Sequence, residues 1–328
     1  MVYIYEKKIN GESYYYLRLD KRINGKKIVK DIAYLGNNLN KINIEDILNS
    51  KNYGKEIKKS YRAINRFLTS KHYLEKIKKM KLKEDKYLTK EQLQNLEIIK
   101  LHFKDRFLKL DSKTKKQVYD DFLVSFTYNT TSIEGNTISL NNVRKFLSQE
   151  NFSIKNKNLR EIYDLRNTKD TFYKFLSQKE INKQLIIDIH DNLMKDIDNR
   201  TGFRKHDVRV FKSRFDSSPY FRVEKEINEL LEFYKENKNK LHPFVLATIF
   251  HHKFEKIHPF YDGNGRSGRM IFNLILINSN FAPIIITKTN RNKYLDALET
   301  SDKLEDYSKL ISFLITEYEK GYFENFLI

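Results

Sequence analysis

The chain has 328 residues, and its 62 Lys and Arg against 43 Asp and Glu give a formal net charge of +19. This balance predicts attraction to polyanions, such as nucleic acid, nucleotides or acidic protein surfaces, without selecting among them. The absence of cysteine excludes disulfides, cysteine-ligated zinc, iron–sulfur clusters and thiol catalysis. The 44 Tyr and Phe exclude a disordered chain, and only 10 Gly and 4 Pro disfavour a turn-rich sandwich or propeller. We therefore expect a mainly α-helical protein.

Residues 1–36 are predicted to form a small antiparallel β element. Apolar and aromatic residues recur there at every second position, and Asn10-Gly11 and Asn24-Gly25 are typical hairpin turns. The start of the chain lacks a charged segment followed by an apolar run, and nowhere do 18 apolar residues follow one another. We therefore expect a cytoplasmic protein without a membrane partner.

Residues 37–112 are predicted to form a basic helical extension. Within it, residues 51–90 hold 14 Lys and Arg against 4 Asp and Glu. Such a window is typical of a solvated helical face in a lysine-rich chain, and it also fits a nucleic-acid-binding patch. Both interpretations stay open at this stage.

Residues 113–328 have the periodicity of a helical domain, because apolar residues return every three or four positions. The predicted helices cover about 113–133, 140–149, 158–178, 181–196, 224–238, 243–257, 265–279 and 291–322. Two segments interrupt this pattern. Residues 208–220 have the composition of a short hairpin, and residues 257–268 are rich in glycine.

The glycine-rich segment contains Gly263-x-Gly265-x-x-Gly268, which matches a dinucleotide-binding fingerprint. That fingerprint must follow a β-strand, whereas residues 244–257 have helical spacing, and no Asp or Glu lies between Asp262 and Asp296 to bind a ribose. The pattern instead indicates a turn between two helices. The free N–H groups and positive dipole at the start of the second helix would bind a phosphate.

The polar residues of this segment fit phosphate chemistry. Arg266 and Arg269 fall on one face of the first helical turn, where they can contact phosphate oxygens. Asp262 could hold a Mg²⁺ that bridges phosphates, and His258 could take a proton from an attacking hydroxyl. Each residue alone is commonly structural, but all four lie within twelve positions. For the nearby His251 and His252 we expect a structural role, because their spacing matches no zinc site.

Residues 258–269 read His-Pro-Phe-Tyr-Asp-Gly-Asn-Gly-Arg-Ser-Gly-Arg. This run resembles the signature of the Fic family, His-Pro-Phe-x-Asp/Glu-Gly-Asn-Gly-Arg-x-x-Arg, without a departure. The resemblance extends over about residues 120–320, and it implies a Fic-type helical bundle with a short β-hairpin flap. It also implies a protein adenylyltransferase, which moves AMP from ATP to a Ser, Thr or Tyr hydroxyl of a protein and releases pyrophosphate.

The resemblance implies a role for each residue of the signature. His258 would be the general base, and Asp262 would position Mg²⁺ on the α- and β-phosphates. Gly263, Asn264 and Gly265 would form an anion hole, with Arg266 and Arg269 on the β- and γ-phosphates. The base must be neutral to act, so we expect a pKa of His258 near or below ~7.

Two further segments resemble parts of that family's site. Val210, Phe211, Lys212 and Ser213 lie where the flap would hold the target backbone as an added strand. Tyr294 and Leu295 resemble the wall beside the adenine, although the core of a C-terminal helix is an equally good interpretation.

An upstream run, Thr130-Thr-Ser-Ile-Glu134-Gly135-Asn136, resembles the family's inhibitory motif, Ser/Thr-x-x-x-Glu-Gly/Asn. The resemblance implies that Glu134, at the end of a helix over about 113–135, pairs with Arg269 and displaces the γ-phosphate. A glutamate at this place can also position water to remove AMP from a modified protein. The sequence does not separate a latent transferase from a bifunctional enzyme.

Other functions stay open. Transfer of a different phosphate-bearing group, as by Doc-like kinases and phosphocholine transferases, is the nearest alternative. Gly265 and Arg269 favour AMP, since Doc-type signatures carry a bulkier residue at the first position and Arg269 would place a triphosphate. A nucleic-acid-binding regulatory module, through the basic residues 51–90, is an alternative of another class. Self-AMPylation and a homodimer are both compatible with the resemblance.

Overall fold

The computed structural model describes residues 1–42, 44–48, 53–149, 152–208 and 217–326. Within these ranges the protein has thirteen α-helices and one three-stranded antiparallel sheet, so the prediction of a mainly α-helical fold with a small antiparallel β element is confirmed. The chain divides into two compact units between Leu82 and Lys83.

The first unit begins with three strands, β1 (Val2–Ile9), β2 (Glu12–Ile23) and β3 (Lys26–Gly36), which pair in the order β1-β2-β3. The two Asn-Gly pairs form the connecting turns, and all four turn residues have positive φ, between 50° and 83°. Asn and Gly tolerate this left-handed conformation, and such turns match the natural twist of a hairpin.

Three helices follow, α1 (Ile44–Leu48), α2 (Gly54–Lys59) and α3 (Tyr61–Lys78). Alternation along the strands sends one set of side chains toward these helices, where they form the core of the first unit. The buried residues of this core are Val2, Ile4, Tyr15, Leu17, Leu19, Ile47, Ile57 and Ile64.

The second unit holds the remaining ten helices. They are α4 (Lys90–Asp105), α5 (Ser112–Ile133), α6 (Leu140–Ser148), α7 (Leu159–Phe175), α8 (Lys183–Leu193), α9 (Val223–Asn237), α10 (Pro243–Ile257), α11 (Asn264–Asn278), α12 (Arg291–Leu304) and α13 (Ser308–Asn325).

Helices α10 and α11 form the centre of this unit. Both are buried around almost their whole circumference, as expected for helices that are apolar on every face. Helix α10 packs against α9, α11 and α13, and α11 also packs against α5, α7 and α8. The loop that joins α10 to α11 is therefore held by packed helices on several sides, which suits a site that needs fixed geometry.

Two details of the predicted elements differ from the structure. The single helix predicted over 291–322 is two helices, because Glu305 adopts a left-handed conformation with φ of 51° and ends α12. Most of the hairpin predicted over 208–220, including the whole proposed flap, lies outside the described residues. Among the helices that are described, none combines the length and apolarity needed to cross a bilayer.

Candidate active site

The loop between α10 and α11 is bounded by two left-handed residues. His258 ends α10 with φ of 52° and ψ of 59°, and Gly263 precedes α11 with φ of 74°. A Cβ on Gly263 would also lie only 2.7 Å from the Met194 sulfur. Only glycine combines this conformation with so close an approach. The first-turn N–H groups of α11 thus open toward the loop, without intrahelical acceptors.

A side-chain clamp holds this loop. The Asn264 side chain accepts a hydrogen bond from Phe260 N and donates one to Phe260 O, both at 2.8 Å. The His190 ring stacks on the Phe260 ring at 3.7 Å between centroids, and its Nε2 lies 3.1 Å from Asp262 O. The Asn264 side chain is therefore used inside the loop, and what this residue offers to an anion is its backbone N–H.

His258 is held with one ring nitrogen available. Its Nδ1 lies 3.3 Å from Glu255 O, and a carbonyl oxygen can only accept, so Nδ1 carries the proton. Nε2 then has the lone pair that a general base needs. Burial lowers the pKa of His258, against the opposing effect of Glu134 and Asp262, so the ring is neutral near pH 7.

Arg204 fastens the segment after α8 to the same loop. Its buried guanidinium donates from Nε to His258 O at 2.8 Å, and it also donates to Ser218 O and His206 O. The backbone N–H of Arg204 donates to Pro259 O at 2.9 Å. The position of His258 thus depends on an arginine that lies 54 residues earlier in the chain.

Asp262 and Arg266 each have a partner on α7. Arg160 forms an ion pair with Asp262, and Asp164 forms one with the buried Arg266. Asp262 Oδ1 also lies 3.8 Å from Arg266 Nη2. Partial burial raises the pKa of Asp262, but Arg266 and Arg160 more than offset this and leave it below its ordinary value. Asp262 is therefore an ionised carboxylate between two cations.

Arg269 is bound by the C-terminal end of α5 and by Glu134, which directly follows that helix, and it also makes a side-chain hydrogen bond with Tyr294. Its Nε donates to Thr130 Oγ1 at 2.8 Å, and its Nη2 donates to Thr130 O at 3.1 Å and to Glu134 Oε1 at 2.7 Å. Thr130 and Glu134 are four residues apart, so one helical face supplies all three acceptors. Withdrawal from water raises the pKa of Glu134, but Arg269 and Arg266 outweigh this effect, and the carboxylate stays ionised below its ordinary range.

The Glu134 carboxylate also lies against the first turn of α11. A Cβ built on Gly265 would lie 2.2 Å from Glu134 Oε1 and 2.8 Å from Arg269 Nη1. An anionic oxygen therefore already lies at the positive end of α11, beside N–H groups that suit a phosphate. The Glu134 side chain is still 43% exposed, so it remains accessible to solvent.

Residues 180–276 match the model of the Fic/DOC family. This match spans α8 to α11 and includes the loop and both arginines of its first turn. The chain contains a Fic/DOC domain.

Curated proteins that this chain resembles are named protein adenylyltransferases. It is 29% identical over 186 residues to protein adenylyltransferase fic-1 of Caenorhabditis elegans, which covers 54% of this chain and 36% of the relative. It is 28% identical over 204 residues to protein adenylyltransferase Fic of Drosophila yakuba, which covers 58% of this chain and 39% of the relative. The matched region thus spans little more than a third of these relatives.

Solved structures show the same fold. A Fic-domain-containing signalling protein of Bacteroides thetaiotaomicron aligns with a TM-score of 0.62 at 20% identity, covering 70% of this chain and 95% of that one. Fic-1 of C. elegans aligns with a TM-score of 0.61 at 25% identity, covering 71% of each chain.

The residues that the sequence singled out do not all lie together in the structure. His258, the loop glycines, both arginines, Thr130 and Glu134 lie close together around the first turn of α11, and Gly135 directly follows Glu134. Tyr294 is buried in the core, where its hydroxyl lies 2.6 Å from His251 Nε2, while Leu295 is half-buried. The flap residues Val210, Phe211, Lys212 and Ser213 lie outside the described residues.

Four residues of the site escaped the sequence analysis: Arg160, Asp164, His190 and, as a support of His258, Arg204. The first two are one helical turn apart on α7, but a charged pair of this spacing is typical of any solvated helix. Their function becomes visible only when α7 is placed beside the loop.

Glu255 is a buried carboxyl group of α10 that lies against α11. Its exposed fraction is 7%, its Oε1 lies 3.9 Å from His251 Nδ1, and a Cβ on Gly268 would come within 2.6 Å of Oε1. Burial raises the pKa of Glu255 to about 7, with Arg269 opposing and Glu134 reinforcing the rise, while burial lowers the pKa of His251 to about 3. Below pH 7, both groups are therefore largely neutral.

The raised pKa of Glu255 predicts a pH-dependent loss of stability. The unfolded carboxyl ionises near 4.5, so the native state holds the extra proton, and stability falls as pH rises from about 4.5 through about 7. Because one pKa unit corresponds to about 1.4 kcal/mol and the folded and unfolded pKa values differ by about 2.5, we expect this loss to reach about 3–3.5 kcal/mol over the whole range. Glu255→Gln should remove it.

Urea unfolding followed by far-UV circular dichroism at pH 5 and pH 8 measures this difference, since the chain has no tryptophan. Glu232→Gln, at an exposed position of α9, is the matched control and should keep the wild-type pH dependence. An equal loss in wild type and Glu255→Gln would contradict the assignment.

Proposed function

We propose that the chain is a protein adenylyltransferase that transfers AMP from ATP to a hydroxyl side chain of a protein and is inhibited by Glu134. The observation that carries this proposal is the position of a neutral histidine, with its Nε2 lone pair available, in the loop that leads directly into the N-terminus of α11. A base and a phosphate site in one rigid loop are what transfer to a hydroxyl requires. The names of the relatives support AMP as the transferred group.

His258 would act on the attacking group. Its Nε2 takes the proton as the target hydroxyl oxygen forms a bond to the α-phosphorus. The bond from this phosphorus to the oxygen that bridges to the β-phosphate breaks, and pyrophosphate leaves. The hydrogen bond from Nδ1 to Glu255 O keeps the ring in the orientation that presents Nε2.

The first turn of α11 would bind the phosphates. The backbone N–H groups of Asn264 and Gly265 face the place where negative charge gathers, and the helix dipole adds to their effect. Arg266 is fixed by Asp164, so it contributes its charge from a set position. Arg269 would turn from Glu134 to the terminal phosphates.

Asp262 fits a Mg²⁺ that arrives with ATP. The ionised carboxylate faces Arg160, whose side chain is 51% exposed and can therefore move away. No cluster of three or more acidic or histidine side chains among the described residues could hold a metal alone, so phosphate oxygens would complete the coordination. The ion would neutralise phosphate charge and orient the α- and β-phosphates.

Glu134 would inhibit by occupying the place of a phosphate. It satisfies Arg269 and lies against Gly265, so bound ATP could not present its terminal phosphates to either group. Since this contact involves only side chains of one molecule, we propose that the inhibition is intramolecular. The same carboxylate could position a water for removal of AMP once the site holds a modified protein.

The position of the radioactive label tests the transferred group. Glu134→Gly is incubated with Mg²⁺ and either α-labelled or γ-labelled ATP, and labelled protein is detected after denaturing electrophoresis. Label from α-labelled ATP alone, on the protein itself and on added target, supports AMP transfer. Label from γ-labelled ATP alone would identify a kinase, and no label from either would reject both.

A further inference from the structure

One face of the sheet in the first unit lies outside the hydrophobic core of that unit. The residues that alternate with the buried ones include five tyrosines, which we call the tyrosine face. They are Tyr3, Tyr5, Tyr14, Tyr16 and Tyr34. All five keep part of their surface accessible, and Tyr34 is 57% exposed.

Strand register brings three of these rings into a row. Tyr5 pairs with Tyr16, and Tyr16 pairs with Tyr34, so the row crosses all three strands. The Tyr16 and Tyr34 ring centroids are 5.2 Å apart, with the rings inclined by 46°. Such rings offer π-faces on which nucleic-acid bases can stack.

The same face is basic. Lys7, Arg18, Arg22 and Lys27 alternate onto it, against Glu12, Asp20 and Asp31. Two of the three acidic groups are ion-paired within the face, since Arg18 Nε lies 2.6 Å from Asp31 Oδ1 and Lys27 Nζ lies 3.1 Å from Asp20 Oδ2. The third, Glu12, accepts a hydrogen bond from the Tyr14 hydroxyl at 2.8 Å, so the four cations exceed the three carboxylates by one. The remaining positive charge favours a polyanion.

The positive charge of Arg18 lies directly against one of the tyrosine rings. Its guanidinium carbon lies 3.5 Å from the centroid of the Tyr5 ring, so a cation lies over the aromatic row. Residues 1–82 as a whole hold 20 Lys and Arg against 8 Asp and Glu, which adds a wider attractive field.

We propose that the tyrosine face binds single-stranded nucleic acid, with bases stacked on Tyr16, on Tyr34 and on the Arg18 guanidinium that covers Tyr5, and with phosphates on the flanking lysines and arginines. A duplex fits less well, because its bases are already stacked on one another and closed to these rings. Protein interfaces are also rich in Tyr and Arg but are poor in Lys, so Lys7 and Lys27 on this face favour a polyanion. This proposal does not depend on AMP transfer by the Fic/DOC domain.

Fluorescence anisotropy of the full chain with a labelled oligothymidylate of about 15 nucleotides tests the proposal, since such a strand exceeds most site sizes. Tyr16→Ala and Tyr34→Ala should each weaken binding at least about fivefold, because one stacked base is lost. Tyr16→Phe retains the π-face and should bind like wild type. Tyr61→Ala, an exposed tyrosine on α3, is the matched control and should change nothing.

Salt separates the two contributions to binding. Affinity should fall as salt rises, and Arg22→Gln should reduce the slope of that dependence, whereas Tyr34→Ala should lower affinity without changing the slope. Circular dichroism identifies any variant that fails to fold. If Tyr16→Ala does not fold, Tyr34→Ala still tests the proposal, because Tyr34 is highly exposed and its removal should not disturb the core. Equal binding by wild type and Tyr34→Ala, tighter binding of the matching duplex, or no binding near physiological salt would overturn the proposal.

Discussion

Glu134→Gly is expected to raise AMP transfer at least about tenfold, because it removes the carboxylate that binds Arg269 and lies against Gly265. A hydrogen bond to a charged group contributes about 1.5–3 kcal/mol, and this stabilisation is lost from the inactive arrangement. Label incorporated from α-labelled ATP into the protein measures the rate. An unchanged rate in this variant would reject inhibition by Glu134.

Two further variants distinguish the effect of the Glu134 charge from the effect of the size of its side chain. Glu134→Gln keeps the size of the side chain and loses its charge, so we expect a rate between those of wild type and Glu134→Gly. Thr130→Ala removes the hydroxyl that accepts from Arg269 Nε and should also raise the rate, by less than Glu134→Gly, because Glu134 remains in place. A Glu134→Gln rate equal to that of wild type would show that bulk, not charge, inhibits.

The pKa of Glu134 determines how this inhibition responds to pH. Arg269 and Arg266 hold that pKa below its ordinary value of 4.5, against the effect of withdrawal from water. The ion pair therefore forms above pH 4.5 and is lost only as pH falls through the lowered pKa. We expect the ratio of Glu134→Gly to wild-type rates to stay constant between pH 6 and pH 8.

His258→Ala in the Glu134→Gly background is expected to lower AMP transfer about 10²- to 10⁴-fold, the usual contribution of a general base. The same α-label assay measures this loss. His206→Ala, an exposed histidine close to Arg204 in the chain, is the matched control and should keep the rate of the Glu134→Gly parent. A double variant that stays as active as its parent would exclude His258 as the base.

A pH profile distinguishes loss of the base from loss of structure. Burial lowers the pKa of His258 below 6.5, so the rate of Glu134→Gly should be maintained at pH 7 and fall only as the ring is protonated at lower pH. The residual rate of the double variant should lack this fall. An identical acid limb in both proteins would assign the titration to another group.

The local pattern of the sequence was enough to predict much of the fold. Two Asn-Gly pairs predicted both hairpin turns of the sheet, since these residues tolerate the positive φ that the turns require. Helical periodicity predicted α10 and α11 on either side of a glycine-rich loop. It failed at Glu305, where a single left-handed residue divides the C-terminal helix and nothing in the spacing of apolar residues marks the break.

The residues of the candidate site also fall into two groups, those that the local sequence predicted and those that only long-range contacts revealed. The residues of the loop, from His258 to Arg269, are close in sequence, so their composition already indicates phosphate chemistry. The run Thr130–Glu134, which we propose to be inhibitory, was connected to Arg269 by resemblance alone, because no local rule relates positions 135 residues apart. The pairs Arg160–Asp262 and Asp164–Arg266 were missed for the same reason.

By itself, the sequence determined the helical class, the two hairpin turns and a glycine-rich loop between two helices, since each of these depends on the chemistry of neighbouring residues. Only the tertiary structure decided which groups meet. It placed the Glu134 carboxylate against Gly265, used the Asn264 side chain inside the loop, and set Glu255 in a buried position that raises its pKa to about 7. Long-range packing sets these distances and the local dielectric, and interactions between charges depend on both.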